Sequence, residues 1–353
     1  MKRSNIGRPV KTVILGAGAS RSVSYRSDMA IDSPLDSDFC DLLLRLDVRY
    51  KNKKLQGRIY KAKDYITEQA LSGGGDDLWS SMEKLFYSLH VRETMRQMIG
   101  STKTGPNSVK ELEENFAVAL QALLRVAHGK RQCKFHWSLF QRLRGEDAIV
   151  TFNYDLVAER ALRTLYGPPV NKPFGPWLHG FGDRPEGTED IPSLYKLHGS
   201  MNWAPLEQDL PPEIRQGRWS DFDKIPGYTA SRATGLEFPI LLPYWDKKIE
   251  TKAWKQIWTG AADHLRKTEC LIIWGYSLPL TDLKAQELFR LTLLADSKRL
   301  NSVCVIDPSP ECRQRWRRMF VGVRFWGFSS IKEFFDQLSR ENATALDFGT
   351  ICH

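Results

Sequence analysis

Short apolar runs recur along the chain: Thr12–Leu15, Ala148–Phe152, Leu194–Leu197, Leu271–Trp274 and Ser302–Ile306. Their hydrophobicity is continuous rather than alternating. Strands buried on both faces need that pattern, as in a parallel sheet covered by helices. Between the runs the apolar period lengthens to that of a helix. Glu111–Ala127 sets Leu112, Phe116, Leu120, Leu123 and Ala127 on one face. Leu156–Leu165 and Thr281–Leu294 read likewise, the second with Thr281 as its N-cap. Ser330 and Glu333 form a capping-box signature for a last helix, Ile331–Leu338. Strands alternating with helices predict an α/β fold, a Rossmann-like parallel sheet covered by helices.

Two segments depart from that alternation. Residues 37–147, between the first and second runs, are mostly helical in pattern and predict a helical insertion subdomain, with a break at Gly73-Gly74-Gly75. Residues 204–250 are rich in Pro, Trp and charge and predict an irregular insertion. At 353 residues the chain is long for one domain and short for two large ones, so 1–353 reads as a single domain with insertions.

Composition narrows the class. With 42% hydrophobic and 26% charged residues the chain is of soluble globular type. No apolar run approaches the roughly 20 residues of a membrane span. Basic residues precede Thr12–Leu15 and Ala17-Gly18-Ala19 follows it, yet that apolar stretch is too short for a secretory signal, so a cytoplasmic protein is expected. The six cysteines are scattered without metal-ligand spacing, which predicts reduced thiols and no zinc site. The net charge of +9 concentrates at 2–11, 49–63 and 313–318. These stretches lack regular aromatic interleaving and match no nucleic-acid module. They read as solvated faces that attract an anionic small substrate, not as a nucleic-acid surface.

The candidate chemistry sits where the runs end, since open α/β sheets bind ligands beyond the carboxyl ends of their strands. The first run ends in Gly16-Ala17-Gly18-Ala19-Ser20, where glycines permit a tight turn and close approach to a pyrophosphate. The third glycine of G-x-G-x-x-G falls at Arg21, so a plain strand-to-helix turn stays open. The second ends in Thr151-Phe152-Asn153-Tyr154-Asp155, whose Asn and Asp could orient a water or ribose hydroxyls, or simply cap the next helix. The third ends in His198-Gly199, the one histidine of seven placed as a general base at a strand end, although a structural histidine is the default for each. Gly275 and Ser277 follow the fourth run with Asp282 close behind. Asp307 closes the fifth, where an acidic residue suits ribose hydroxyls. Turn or cap roles stand beside each of these.

As an ordered set, GAGAS, TFNYD, KLHGSMNW, WGYSL and VID resemble the sirtuin-like family over about Thr12 to Asp307. The similarity is greatest to its bacterial anti-phage defence branch, whose members hydrolyse NAD+. The resemblance implies that Gly16, Ala17, Gly18 and Ser20 hold the pyrophosphate. In the T-x-N-x-D motif begun by Thr151, Asn153 would contact the nicotinamide-ribose and its water, and Asp155 is the acidic member. His198 matches the catalytic histidine that engages the ribose hydroxyls. Gly275 and Ser277 match a phosphate-side turn, and Asp307 stands where the family commonly has an Asn near the adenosine ribose. Two departures bear on the reaction. Deacylating sirtuins carry four zinc-binding cysteines after the catalytic histidine, and after His198 this chain has none with that spacing. Their G-x-P-D-F-R segment has only a loose counterpart in Pro34–Phe39, which places Asp38 and Phe39 by resemblance at the nicotinamide pocket.

Both departures favour hydrolysis. NAD+ would be the substrate, cleaved to nicotinamide and ADP-ribose, with no separate redox cofactor and no metal. The alternatives are an NAD+-dependent protein deacylase or ADP-ribosyl transferase, and a non-catalytic nucleotide-binding subunit. An unrestrained NAD+ hydrolase would poison its own cell. The resemblance therefore implies an effector activated by assembly: a homo-oligomer with a separate sensor or ATPase partner, a HerA-type ATPase foremost and an Argonaute-like protein next.

Overall fold

A computed structural model describes residues 8–22, 31–47, 53–71, 81–100, 109–128, 132–167, 184, 186–206, 213–216, 252–295 and 299–341. The strands are β1 (Lys11–Leu15), β2 (Ala148–Thr151), β3 (Ser193–Lys196), β4 (Trp203–Leu206), β5 (Glu213–Gln216), β6 (Cys270–Trp274), β7 (Ser302–Ile306) and β8 (Arg324–Phe328). Six of them form one parallel sheet in the order β3-β2-β1-β6-β7-β8. Every residue of β1, β6 and β7 is buried, as their unbroken apolar runs require. In register, Ile14 of β1 lies between Val150 of β2 and Ile273 of β6. Strand order therefore reverses between β1 and β6. That is the topological switch point, where the strands' carboxyl ends open a crevice.

The sixth strand, β8, was not among the expected runs. It is one of the two edge strands, Arg-Phe-Trp-Gly-Phe; unlike β3 at the other edge, it has only Phe328 buried, so it lacks the continuous apolar signal of the other strands.

Between β1 and β2 lie α1 (Ala17–Arg21), α2 (Phe39–Arg45), α3 (Lys53–Leu71), α4 (Met82–Met98), α5 (Val109–His128) and α6 (Lys134–Phe140). Helices α2 to α5 build a core of their own, in which Phe116 takes the edges of Tyr65 and Phe86 at ring-centroid distances of 5.9 and 5.8 Å. That core also takes in Tyr154, Leu156 and Met201 from just beyond β2 and β3. The helical layer thus rests on the carboxyl ends of the strands. In contrast, α6 joins the sheet core through Leu139 and Phe140. Gly73–Gly75 lies outside the described residues. Of 204–250, the described part is an antiparallel pairing of β4 with β5 rather than irregular chain.

After β2 come α7 (Val157–Tyr166), α8 (Lys252–Leu265), α9 (Leu283–Phe289) with a π-helical continuation Arg290–Ala295, α10 (Pro310–Met319) and α11 (Ile331–Glu341). Two caps differ from expectation. The N-cap of α9 is Asp282, whose carboxylate accepts from the Ala285 amide, because the Thr281 hydroxyl turns instead to Glu83. At α11 the Ser330 hydroxyl accepts from the Glu333 amide at 3.1 Å, but Glu333 reaches back to the amide of Ser329, not of Ser330. Cys40, Cys133, Cys304 and Cys312 are free, whereas Cys270 is disulfide-bonded. The expectation of uniformly reduced thiols is corrected there, and spacing alone carries no signal for a long-range pairing. No helix among the described residues is long and apolar enough to cross a membrane.

Candidate functional site

The crevice begins at an interlock of glycines. The Gly16 amide donates to the Trp274 carbonyl at 3.1 Å and the Gly18 amide to the Gly275 carbonyl at 3.0 Å. A Cβ on Gly16 would lie 2.3 Å from the Gly275 oxygen. One on Gly275, whose φ is +63°, would lie 2.2 Å from the Ala19 nitrogen. Glycine is thus required first for the close approach of the turns after β1 and β6. Two of the amides expected at a pyrophosphate are already bonded within the protein. Ala17 opens α1, where first-turn amides have no partner inside the helix.

Beside this interlock the T-x-N-x-D residues form a buried network. The Asn153 side-chain amide donates to the Gly16 carbonyl at 2.8 Å and to the Ser20 hydroxyl at 3.0 Å. Ser20 in turn donates to Asp155 at 2.6 Å, and the other Asp155 oxygen accepts from the Val157 amide at 2.9 Å. Thr151 accepts from the Asn153 backbone at 3.1 Å, which fixes the bend out of β2. Asp155 is thus not the N-cap of α7, which is Leu156; it accepts from the helix's first amide from one residue earlier and is linked through Ser20 to Asn153. Burial pushes the Asp155 carboxyl up, but His128, Lys196, Ser20 and the Val157 amide outweigh it and hold it below its ordinary range. Lys196 bridges the Asp155 carbonyl and Glu159, the latter at 2.8 Å, with both side chains of the ion pair almost wholly buried. Burial raises the Glu159 carboxyl against the pull of Lys196.

His198 sits beyond β3 with its ring edge-on to Phe152 at 4.9 Å, and Phe152 stacks on Tyr276 at 4.1 Å. Its Nε2 is 3.0 Å from Asp282, and the Tyr276 hydroxyl donates to the same carboxylate oxygen at 3.0 Å. Leu278, between Tyr276 and Asp282, holds a left-handed φ of +52°. For a non-glycine residue that conformation costs roughly 1–2 kcal/mol. The helical layer reaches this region at separate points. Gln121 of α5 donates to the Met201 carbonyl at 2.6 Å, and Glu83 of α4 accepts from Thr281. Arg21 of α1 pairs with Asp38 at 2.8 Å.

The structure thus brings Gly16, Gly18, Ser20, Thr151, Asn153, Asp155, His198 and Gly275 to the carboxyl ends of β1, β2, β3 and β6. Asp38 pairs with Arg21 at the end of α1 and accepts also from the Leu35 amide at 2.7 Å. Phe39 is fully buried in the helical core, 6.4 Å from Phe116, and does not line the crevice. Ser277 is exposed and its carbonyl accepts from Arg315 at 2.6 Å. Asp307 follows β7 and accepts from the Ser309 amide at 2.9 Å, a turn role. Sequence reasoning passed over Gln121, His128, Lys196 and Glu159, and noted Asp282 only by its nearness to Ser277. A lysine inside an apolar strand, as at Lys196, was the one visible signal, since such a residue needs a buried partner.

No curated protein matches the chain. Among solved structures it is similar to a Sir2 bound to the inhibitor EX-527, 2'-O-acetyl-ADP-ribose and a deacetylated p53 peptide. That similarity has 12% identity over 95% of each chain and a TM-score of 0.39. A Sir2 homologue triple mutant with 2'-O-acetyl ADP ribose gives 12% identity over 96% of this chain and 93% of that one, with a TM-score of 0.42. The family described as SIR2-like domain matches residues 147–323, which include Asn153, Asp155, His198, Gly275 and Asp307. With half of its 353 residues matched in that way, the chain belongs to the SIR2-like domain family.

Proposed function

We propose that this protein binds NAD+ across the carboxyl ends of β1 and β6 and hydrolyses its nicotinamide–ribose bond, giving nicotinamide and ADP-ribose. The observation that carries the reading is the convergence at one switch point of Asn153, tied to Ser20 and Asp155, with His198, tied to Asp282. The bond to be broken joins an anomeric carbon to a cationic leaving group and passes through an oxocarbenium-like state. Nicotinamide departs neutral and needs no proton. The protein has to hold the ribose, admit one water and take up the proton that the attack releases. Asn153 positions the water, and His198 engages the ribose hydroxyls and accepts the proton. Gly16, Ala17, Gly18, Ser20, Gly275 and Ser277 would flank the phosphates, Thr151 and Asp155 support Asn153, Asp38 lies at the rim, and Asp307 lies toward the adenosine ribose. Phe39 supports that rim from within the helical core. No zinc-ligand cysteine spacing follows His198, which favours water over an acyl-lysine as acceptor.

In this reading the protein is an NAD-depleting effector of anti-phage defence, inactive until it forms a homo-oligomer with a separate partner, a HerA-type ATPase foremost. The contacts of Gln121, Glu83 and Asp38 with the site give the helical layer a means of control. The test is NAD+ consumption by the full chain, with and without an acyl-lysine peptide and the partner. His198→Ala and Asn153→Ala should each lose at least ~100-fold in turnover, the low end for general acid–base catalysis, while still unfolding in one cooperative transition. Turnover like that of the unsubstituted protein in either variant contradicts the assignment. Consumption that depends on the peptide supports deacylation or ADP-ribosyl transfer instead.

A further inference from the structure

The side chain that faces His198 belongs to neither the glycine interlock nor the T-x-N-x-D network. Asp282 lies between β6 and α9 and is 2% exposed. One of its carboxylate oxygens stands 3.0 Å from His198 Nε2 and also accepts from the Tyr276 hydroxyl at 3.0 Å. The other accepts from the Ala285 amide at 3.4 Å. Three elements thus fix one carboxylate: a phenol stacked on Phe152, a helix N-terminus and an imidazole. Each contact removes a degree of freedom, and a buried carboxylate with several donors stays aligned with the ring it faces.

We propose that Asp282 is the positioning carboxylate of a His198–Asp282 pair that makes His198 the base of the reaction. The inference deepens the hydrolytic reading and rests on it for the identity of the reaction. Asp282 accepts from Nε2–H, so the neutral imidazole carries its proton on Nε2 and its lone pair on Nδ1. As water attacks the anomeric carbon, its oxygen forms the new C–O bond. The C–N bond breaks with its electron pair going to nicotinamide, and the water's proton passes to Nδ1. The imidazolium so formed lies against the Asp282 carboxylate, as in the serine-protease arrangement, where a buried carboxylate holds the tautomer and stabilises the charged ring. Tyr276 is held neutral, its phenol pushed well above its ordinary range by burial and by Asp282, so it remains a donor that aims the carboxylate. Among the described residues, the titratable groups facing this pair include Tyr276 beyond β6, Tyr154 beyond β2, whose ring is 6.1 Å from that of His198, and Glu83 of α4, which acts on Tyr276.

Asp282→Asn tests the pair, because Asn is also a good N-cap and keeps α9 started. Two readouts are taken on the full chain. The first is the pH profile of kcat/KM for NAD+. Asp282→Asn should lower kcat by ~10²–10⁴-fold with KM little changed, move the acidic limb to lower pH, and recover in part in Asp282→Glu. The second is the His198 imidazole NMR signal, assigned by its loss in His198→Ala and titrated with pH without any substrate. Its midpoint should fall in Asp282→Asn, since a negative neighbour is removed. It should rise in Tyr276→Phe, where the carboxylate loses a competing donor. An unmoved His198 midpoint in both variants overturns the pair. A shifted midpoint in a chain that, even in its assembled form with the partner, does not consume NAD+ upholds the pair and refutes the hydrolytic reading alone.

Discussion

Replacing Gly275 by alanine separates two costs that the interlock imposes together. The φ of +63° puts any L side chain in the left-handed region, at roughly 1–2 kcal/mol. The new Cβ would also stand 2.2 Å from the Ala19 nitrogen and 2.4 Å from the Gly18 carbonyl carbon, backbone atoms that cannot rotate away. Relieving that overlap adds about 1–3 kcal/mol of overpacking. It also loosens the Gly18 amide's bond to the Gly275 carbonyl, worth about 1 kcal/mol. The whole comes to about 4 kcal/mol, a large part of the 5–15 kcal/mol that holds a typical protein folded. Two controls isolate the parts. Gly322 has a φ of +86° and nothing within 4 Å of its Cβ position, so Gly322→Ala bears the conformational cost alone. Gly16 has an ordinary φ of −117°, but its Cβ would stand 2.3 Å from the Gly275 oxygen, so Gly16→Ala bears the steric cost alone. Urea unfolding followed by tryptophan fluorescence gives each loss. The expected order is Gly275→Ala largest, Gly16→Ala next and Gly322→Ala smallest. Equal losses in Gly275→Ala and Gly322→Ala would refute the steric argument and with it the interlock.

Other consequences follow from buried polar groups. Lys196→Met leaves Glu159 buried without its cation and should cost about 3–5 kcal/mol in the same urea assay; adding Glu159→Leu should restore most of it, because well-packed apolar replacements of a buried pair are often neutral or better. His136 is fully buried against Trp274, with no hydrogen-bond partner on either ring nitrogen among the described residues, and burial pushes it down from 6.5 to about 3. Between those values the unfolded chain binds a proton that the native protein does not, so stability falls as pH drops below 6.5, by about 2 kcal/mol at pH 5. His136→Phe should flatten that slope, leaving the smaller one from His264, which burial pushes down to about 4. An unchanged slope in the variant would show that His136 is protonated in the native state.

The sheet was legible because five of its strands are buried on both faces and so read as unbroken apolar runs. Strand β8 was not, since Arg324 and Gly327 face solvent and erase the pattern. Half of the site was legible for the same reason. Asn153, Asp155 and His198 stand directly at strand ends, where the chain leaves a recognisable run. Asp282 was noticed and left without a role, because its partner lies on another strand and only folding joins them. Gln121 and Glu83 read as helix positions like any other; their reach to the site depends on how the helical layer rests on the sheet. The glycines were read as a phosphate cradle, while their amides and missing Cβ atoms serve first to seat the β1 turn against the β6 turn. Short motifs name residues that are close in the chain, and contacts between strands are invisible to them.

The central claim is that water is the acceptor for the cleaved ribose. The most direct measurement is product analysis of NAD+ incubated with the full chain, in its assembled form, in ¹⁸O-labelled water without any peptide. The account predicts nicotinamide and ADP-ribose in equal amounts, with the label on the anomeric oxygen of the ADP-ribose. No NAD+ loss in water, together with formation of an acylated ADP-ribose once an acyl-lysine peptide is supplied, would contradict it.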